Sequence, residues 1–174
     1  MSFGNVFKTV TAGDGGVGKT TLLYRYVNNV FLSDTSMTIG VQLHVKTMKY
    51  SGTTYNMQLW DLGGQDRFRF ILPQYVNGAK GALLVFDLTR LPSTLNLESS
   101  WLPVVRSQNP NLPVILVGTK KDLISPLRPM IDPSIPQNLV KDNNLQGYIE
   151  VSAESGENVE QTFIMLLEAM LGKR

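Results

Sequence analysis

Residues 5–12 (N-V-F-K-T-V-T-A) are rich in β-branched and apolar positions and predict a strand. The period then changes. Across 18–29, Leu22, Leu23 and Tyr26 or Val27 recur at helical spacing and mark one apolar face. V-Q-L-H-V-K (41–46) and Y-N-M-Q-L (55–59) alternate, and the S-G-T turn between them predicts an antiparallel hairpin at a sheet edge, one face covered and the other wet. His44 falls on the polar face of that alternation and is expected in solvent. By contrast, A-L-L-V-F (82–86) and V-I-L-V (114–117) are continuous apolar runs, as central parallel strands require.

Ser93 is placed to cap a helix over about 94–107, which Pro103 should kink or shorten. The stretch 125–136 holds four prolines and reads as a loop or broken helix. Y-I-E-V (148–151) is the last strand. A final helix near 157–171 carries Val159, Phe163, Leu166, Leu167 and Met170 on one face. The order βαββαβαβ(α)βα predicts one α/β domain over 1–174. It is a doubly wound, mostly parallel six-stranded sheet with one antiparallel edge strand and helices on both faces. Ligands of such sheets bind at the carboxyl ends of the strands.

Composition narrows the function more than the fold. With 174 residues, 43% hydrophobic and 17% charged, the chain is long and apolar enough for a real core. A net charge of +2, with no basic run, gives no footprint for nucleic acid. There is no cysteine, hence no disulfide, thiolate metal site or thiol nucleophile, and no prenyl or palmitoyl anchor. Ser2 replaces the glycine that myristoylation needs, and no apolar run nears the roughly 18 residues of a membrane span. The N-terminus lacks a signal-peptide core, so a cytoplasmic protein without a lipid anchor is expected.

Gly13-Asp14-Gly15-Gly16-Val17-Gly18-Lys19-Thr20 fits G-x-x-x-x-G-K-[ST] between a predicted strand and a predicted helix. Glycines let successive backbone N–H groups converge on one anion, and the helix beginning near Gly18 adds its own unpaired N–H groups. Lys19 is then placed for β- and γ-phosphates and the Thr20 hydroxyl for Mg²⁺, with Thr21 following in the nucleotide-binding set.

Three later motifs fit the same ligand. In W-D-L-G-G-Q-D (60–66), Asp61 ends a strand where it can hold Mg²⁺, Gly64 can turn its N–H to the γ-phosphate, and Gln65 can orient the attacking water. In G-T-K-K-D-L (118–123), the Asp122 carboxylate can accept from the N1–H and exocyclic amine of guanine, with the Lys120 stem over the base. Adenine lacks those two donors, so such a site rejects it. In V-S-A (151–153), Ser152 and Ala153 end the last strand, and the Ala153 N–H can meet guanine O6.

G-D-G-G-V-G-K-T, T-I-G, W-D-L-G-G-Q, T-K-K-D and E-V-S-A, in that order, resemble the motifs of the Ras superfamily of small GTPases across essentially the whole chain. The resemblance implies a P-loop NTPase fold and a regulated switch that binds GTP or GDP with Mg²⁺ and slowly hydrolyses GTP. It assigns Thr38 to Mg²⁺ and the γ-phosphate and Phe31 to packing on guanine. Thr20, Thr38 and Asp61 become the metal set, and Lys19, Thr38 and Gln65 the catalytic set. It further implies effectors, exchange factors and GTPase-activating proteins acting through residues 31–50 and 61–76. The chain is a mosaic. T-I-G-V is similar to Rab proteins, W-D-L-G-G-Q-D to Arf proteins, and Thr119 stands where most members carry asparagine, as in Rho members. Glu154 follows Ser-Ala where lysine is common, and 31–38 has no tyrosine. The missing cysteine tail fits a prokaryotic or otherwise unlipidated member.

Arg67 and Arg69 read as partner contacts or a solvated face, and no arginine is assigned to the γ-phosphate in cis. Turnover is therefore expected to be slow, on the order of 10⁻⁴ to 10⁻² s⁻¹, and open to acceleration by a partner. A GTP-binding interaction module with little hydrolysis, an ATPase of the same fold, and self-association through edge strand 41–50 all stay open.

Overall fold

The computed structural model describes residues 5–125 and 131–173. Six strands form one sheet in the order β2-β3-β1-β4-β5-β6. β1 (Asn5–Ala12) lies parallel to β3 (Thr53–Leu62) on one side and to β4 (Gly81–Asp87) on the other, and β5 (Val114–Thr119) and β6 (Gly147–Glu150) continue the parallel set. Among the described residues only the edge strand β2 (Val41–Tyr50) runs antiparallel, against β3. Ser51 and Gly52, at φ 48° and 77°, make the two-residue turn whose backbone matches the twist of a hairpin. Since five strands share one direction, the loops after β1, β3, β4, β5 and β6 gather at one end of the sheet.

Two apolar layers cover the faces. On one, Leu22, Leu23 and Tyr26 of α1 (Lys19–Asn28) and Phe163 and Leu166 of α6 (Val159–Met170) close over Met57, Leu59, Leu83 and Val85. The Tyr26 and Phe163 rings stack at 3.7 Å between centroids. On the other face lie α2 (Leu72–Val76), α3 (Leu91–Asn96), α4 (Leu102–Val105) and α5 (Ser134–Asp142), with Leu72, Leu97, Trp101 and Val105 against Leu84, Phe86 and Leu116. β4 and β5 are buried at every position, as their unbroken apolar runs predict. Among the described residues no helix is long and apolar enough to cross a membrane.

Four local departures have physical causes. The helix expected from 94 begins at Leu91, and Ser93 does not cap it. Its hydroxyl donates to Arg90 O at 2.6 Å and accepts from the Asp87 N–H at 3.0 Å, fixing the β4–α3 connection instead. The helix ends at Val105, two residues past Pro103 and short of the expected 107, but it is not broken at the proline itself. Residues Leu97–Trp101 widen into one π-helical turn, with the Leu102 N–H donating to Leu97 O, which carries the chain past the residue lacking an N–H. Of the proline-rich stretch, 126–130 lies outside the described residues, but Ser134–Asp142 is a helix. Pro136 sits in its first turn, where a missing N–H costs little.

The fourth departure inverts β2. Tyr55, Met57 and Leu59 of β3 are buried toward α1 and α6, and the register puts Met48, Lys46 and His44 beside them. Lys46 lays its stem along Tyr26 and donates to Val27 O at 3.1 Å. His44 is therefore half-buried rather than solvent-facing, and its Nε2 is enclosed. Leu43 and Val45 take the open face, 50% and 57% exposed.

Candidate functional site

After β1 the glycine loop turns back over the sheet with Gly13, Gly16 and Gly18 at positive φ. Side chains from neighbouring segments hold its carbonyls. Lys19 Nζ donates to Gly13 O at 2.7 Å and Asp14 O at 2.8 Å. Arg90 Nη2 donates to Gly15 O at 2.9 Å, and Lys120 Nζ donates to Gly16 O at 3.1 Å. Thr119 Oγ1 meets Val17 O at 2.5 Å, and the Leu22 N–H takes Gly18 O at 2.9 Å. With those carbonyls engaged, the loop's N–H groups are left to form an anion nest. Lys19 is buried, which lowers its pKa to about 8 against the pull of Asp61 and Asp14. Such a cation gains from an anionic ligand.

Beside the nest, three oxygens converge. Thr20 Oγ1 donates to Asp61 Oδ2 at 2.5 Å and lies 2.6 Å from Thr38 Oγ1. Asp61 is fully buried at the end of β3, and its second oxygen, Oδ1, has no partner. Burial pushes this carboxyl up, opposed by the Thr20 bond and the charge on Lys19. Among the described residues there is no cluster of three His, Cys, Asp or Glu side chains. One orphaned carboxylate with two hydroxyls is a hard-oxygen set of the kind Mg²⁺ takes together with phosphate oxygens and water.

The two glycines after Asp61 are required by backbone contact. A Cβ on Gly63 would stand 2.7 Å from Gly40 O and 2.8 Å from Thr38 O, and one on Gly64 would stand 2.5 Å from the Asp14 carbonyl carbon. The Gly63 N–H donates to Gly40 O at 2.7 Å, joining the 31–40 and 63–65 loops. A cavity of about 60 Å³ between them is lined by Gly15, Gly18, Lys19, Thr20, Thr38 and Gly64, among others.

A second cleft of about 350 Å³ opens beside it, with Gly18, Thr21, Phe31, Thr119, Lys120, Asp122 and Ala153 on its walls. Asp122 Oδ1 accepts from the buried Ser152 hydroxyl at 2.6 Å, and Ser152 Oγ in turn accepts from the Ser155 N–H. Lys120, at φ 61°, is anchored by Asp87 at 2.7 Å. Burial works against the charge on Asp87, but Lys120 and Thr89 hold its carboxyl below the usual range.

A family model described as "Ras family" matches residues 8–172. Ras-related protein Rab-4B of Homo sapiens is 38% identical over 169 residues, covering 97% of this chain and 78% of that protein. Ras-related protein Rab-1 of Theileria annulata is 35% identical over 169 residues, covering 97% of this chain and 76% of its own length. The chain belongs to the Ras family. It is a Rab-like small GTP-binding protein with a P-loop.

Most of the residues singled out in this Ras-family chain border one of the two cavities; Gly13, Asp14, Val17, Asp61, Gln65 and Ser152 line neither, and four residues sit otherwise than the motifs suggest. The Val17 side chain is core, leaving only its backbone to the loop. The Asp14 carboxylate turns away from the nest and accepts from Trp101 Nε1 at 2.7 Å and Asn96 Nδ2 at 2.8 Å. Thr119 braces the loop from below, lying 2.9 Å from Phe86 O as well as on Val17 O. Gln65 Oε1 accepts from Arg67 Nε at 2.8 Å in an exposed pair.

Arg90, Asn96 and Trp101 were missed as site residues. Two signals were available for them. A carboxylate inside a phosphate loop must find donors away from the phosphates, and Arg90 follows a central strand whose carboxyl end faces the site.

Proposed function

We propose that this Ras-family protein is a nucleotide-dependent switch that binds GTP and GDP with Mg²⁺ and hydrolyses GTP. The observation that carries the reading is the Thr20–Asp61–Thr38 contact, because it joins the P-loop, the end of β3 and the 31–40 loop at one orphaned carboxylate oxygen. Thr20, Thr38 and Asp61 would hold Mg²⁺, which when bound would supply charge neutralisation for the phosphates. Lys19 and the P-loop N–H groups stabilise the charge that develops on them, and Gln65, released from Arg67, orients the attacking water. Asp122, Lys120 and Ala153 select guanine, with Phe31 on the base.

Loss of the γ-phosphate removes the ligand shared by Thr38 and Gly64, so loops 31–40 and 61–76 relax. Effectors, exchange factors and activating proteins act through residues 31–50 and 61–76. The exposed Ile39, Leu43, Val45 and Phe70 support an apolar contact there. The protein works in the cytoplasm.

Three measurements test this. Protein purified without added nucleotide is analysed for bound guanine nucleotide and Mg²⁺. Binding of GTP and ATP is then compared, and single-turnover phosphate release is compared with Gln65→Ala. Tight GTP binding with release faster than the variant is expected. Equal affinity for ATP refutes guanine selection, and release no faster than Gln65→Ala reduces the protein to a GTP-binding scaffold.

A further inference from the structure

Three cationic side chains hold P-loop carbonyls, and the proposed function uses only two of them. Lys120 reaches Gly16 O with its charge already met by Asp87 at 2.7 Å. Lys19 is buried beneath the loop. Arg90 reaches Gly15 O from the solvent side, and among the described residues it has no carboxylate partner within ion-pair distance. Its backbone is fixed: its N–H donates to Asp87 O at 2.9 Å, and its carbonyl accepts from the Ser93 N–H at 3.1 Å and the Ser93 hydroxyl at 2.6 Å. Only the long side chain is free to move.

That side chain lies along the glycine flank of the phosphate cavity. Gly15 and Gly16 both line the cavity, and Arg90 Nη1 would be 4.0 Å from a Cβ on Gly16. Its charge is also felt at Lys19, whose pKa it helps to depress. Two cations bonded to neighbouring carbonyls of one loop repel each other, and an anion bound at that loop offsets the repulsion. A guanidinium bonds phosphate through two parallel N–H groups, a bidentate pairing of opposite charges that a single neutral carbonyl does not offer.

We propose that Arg90 is an internal arginine for GTP hydrolysis, exchanging the Gly15 carbonyl for the terminal phosphate of bound GTP. The inference rests on the function proposed above. In the step it assists, the water oxygen bonds to the γ-phosphorus and the bond from that phosphorus to the β,γ-bridging oxygen breaks. The electron pair leaves with GDP, and the water proton passes to the phosphate. Arg90 forms no covalent bond and moves no proton. It neutralises the charge that grows on the γ-oxygens and the leaving oxygen.

The test compares wild type, Arg90→Ala and Arg90→Lys with no partner present. Three quantities are read: GDP and GTP affinity, single-turnover phosphate release, and formation of a GDP–aluminium fluoride complex with Mg²⁺. Wild type should form the fluoride complex unaided. Arg90→Ala should lose that complex and release phosphate on the order of 10²-fold more slowly, with GDP affinity within about three-fold of wild type. Arg90→Lys, which can still bond Gly15 O through one N–H, should stay slow.

Full recovery by lysine, or equal loss of GDP affinity and rate in Arg90→Ala, assigns the residue to holding the loop and overturns the proposal. Hydrolysis by Arg90→Ala within about two-fold of wild type does so as well. Wild type that binds GTP but forms no fluoride complex sinks the Arg90 assignment alone. Wild type that binds no GTP sinks the function on which it rests.

Discussion

Replacing Gly64 by alanine tests the contact between the loop after β3 and the P-loop. The added Cβ would sit 2.5 Å from the Asp14 carbonyl carbon and 2.7 Å from Gly15 Cα, and closer still to the Gly15 nitrogen. Ordinary contact begins near 3.4 Å, so the loop must retreat by about an ångström from backbone atoms that cannot yield. A displacement of about 1 Å between groups that must meet a reacting phosphate costs on the order of 10²-fold in rate. That corresponds to about 2.7 kcal/mol of transition-state stabilisation. No core side chain is displaced, so global stability should change by less than about 1 kcal/mol.

Single-turnover phosphate release and a thermal melt, run on the same preparations, separate the two effects. Gly78→Ala is the control, because its Cβ meets nothing within 4 Å and only its φ of 77° is strained. It should slow nothing while costing about 1 kcal/mol. Gly64→Ala with a rate within about three-fold of wild type would show that close approach of the loop to Gly15 is not needed for the reaction.

Asp122→Ala should abolish the preference for GTP over ATP in competitive binding, and a preference kept intact removes Asp122 from base recognition. Ser152→Ala, losing the 2.6 Å bond that orients Asp122, should weaken GTP binding by roughly ten-fold. Phe163→Ala empties the ring stacked on Tyr26 and should cost about 3–5 kcal/mol in a denaturant melt, with little effect on nucleotide selectivity. In the nucleotide-free protein Lys19 titrates near 8 instead of 10.5. Between those values the unfolded chain binds more protons than the native one, so stability rises with pH across that window. GDP requires the ammonium form, so binding should take up a proton at pH 9 and weaken as pH climbs. Calorimetry in buffers of differing ionisation enthalpy that shows no uptake would count against it.

The sheet was legible because 82–86 and 114–117 are unbroken apolar runs, the pattern of parallel strands covered on both faces. The loops were legible because parallel strands bring their carboxyl ends together, so motifs distant in sequence face one ligand. β2 was misread since alternation shows two faces but not which one the partner strand turns inward. The buried Tyr55, Met57 and Leu59 of β3 decide that, at the cost of exposing Leu43 and Val45. Ser93 was misread because its hydroxyl found a better use in the turn before the helix. The ties to Asp14 and Gly15 come from residues many positions away, and no local spacing announces them.

Those ties bear on how the switch would work. The groups that hold the P-loop carbonyls are Lys19, Arg90, Lys120, Thr119 and the Leu22 N–H, and none belongs to loop 31–40 or loop 61–76. Asp14 is held by Asn96 and Trp101 of the α3–α4 helix. The nest for the inner phosphates is therefore built independently of the two loops, and both nucleotides should find it formed. Thr38 and Asp61 link those loops to the site through Thr20, Gly64 does so through its close approach to Gly15, and the Gly63–Gly40 bond ties the two loops to each other. The far end of the second loop is anchored in the core by Leu72 and Val76, and ahead of it the Arg69 guanidinium lies over the Trp101 ring at 4.7 Å. Because the indole holds Asp14 through its own Nε1–H and not through Arg69, movement of the 66–71 segment should change the outer surface without loosening the P-loop. The two nucleotide states should then differ in the loops and, within the nest, only in the partner of Arg90, which leaves the γ-phosphate as the group that reorders the surface.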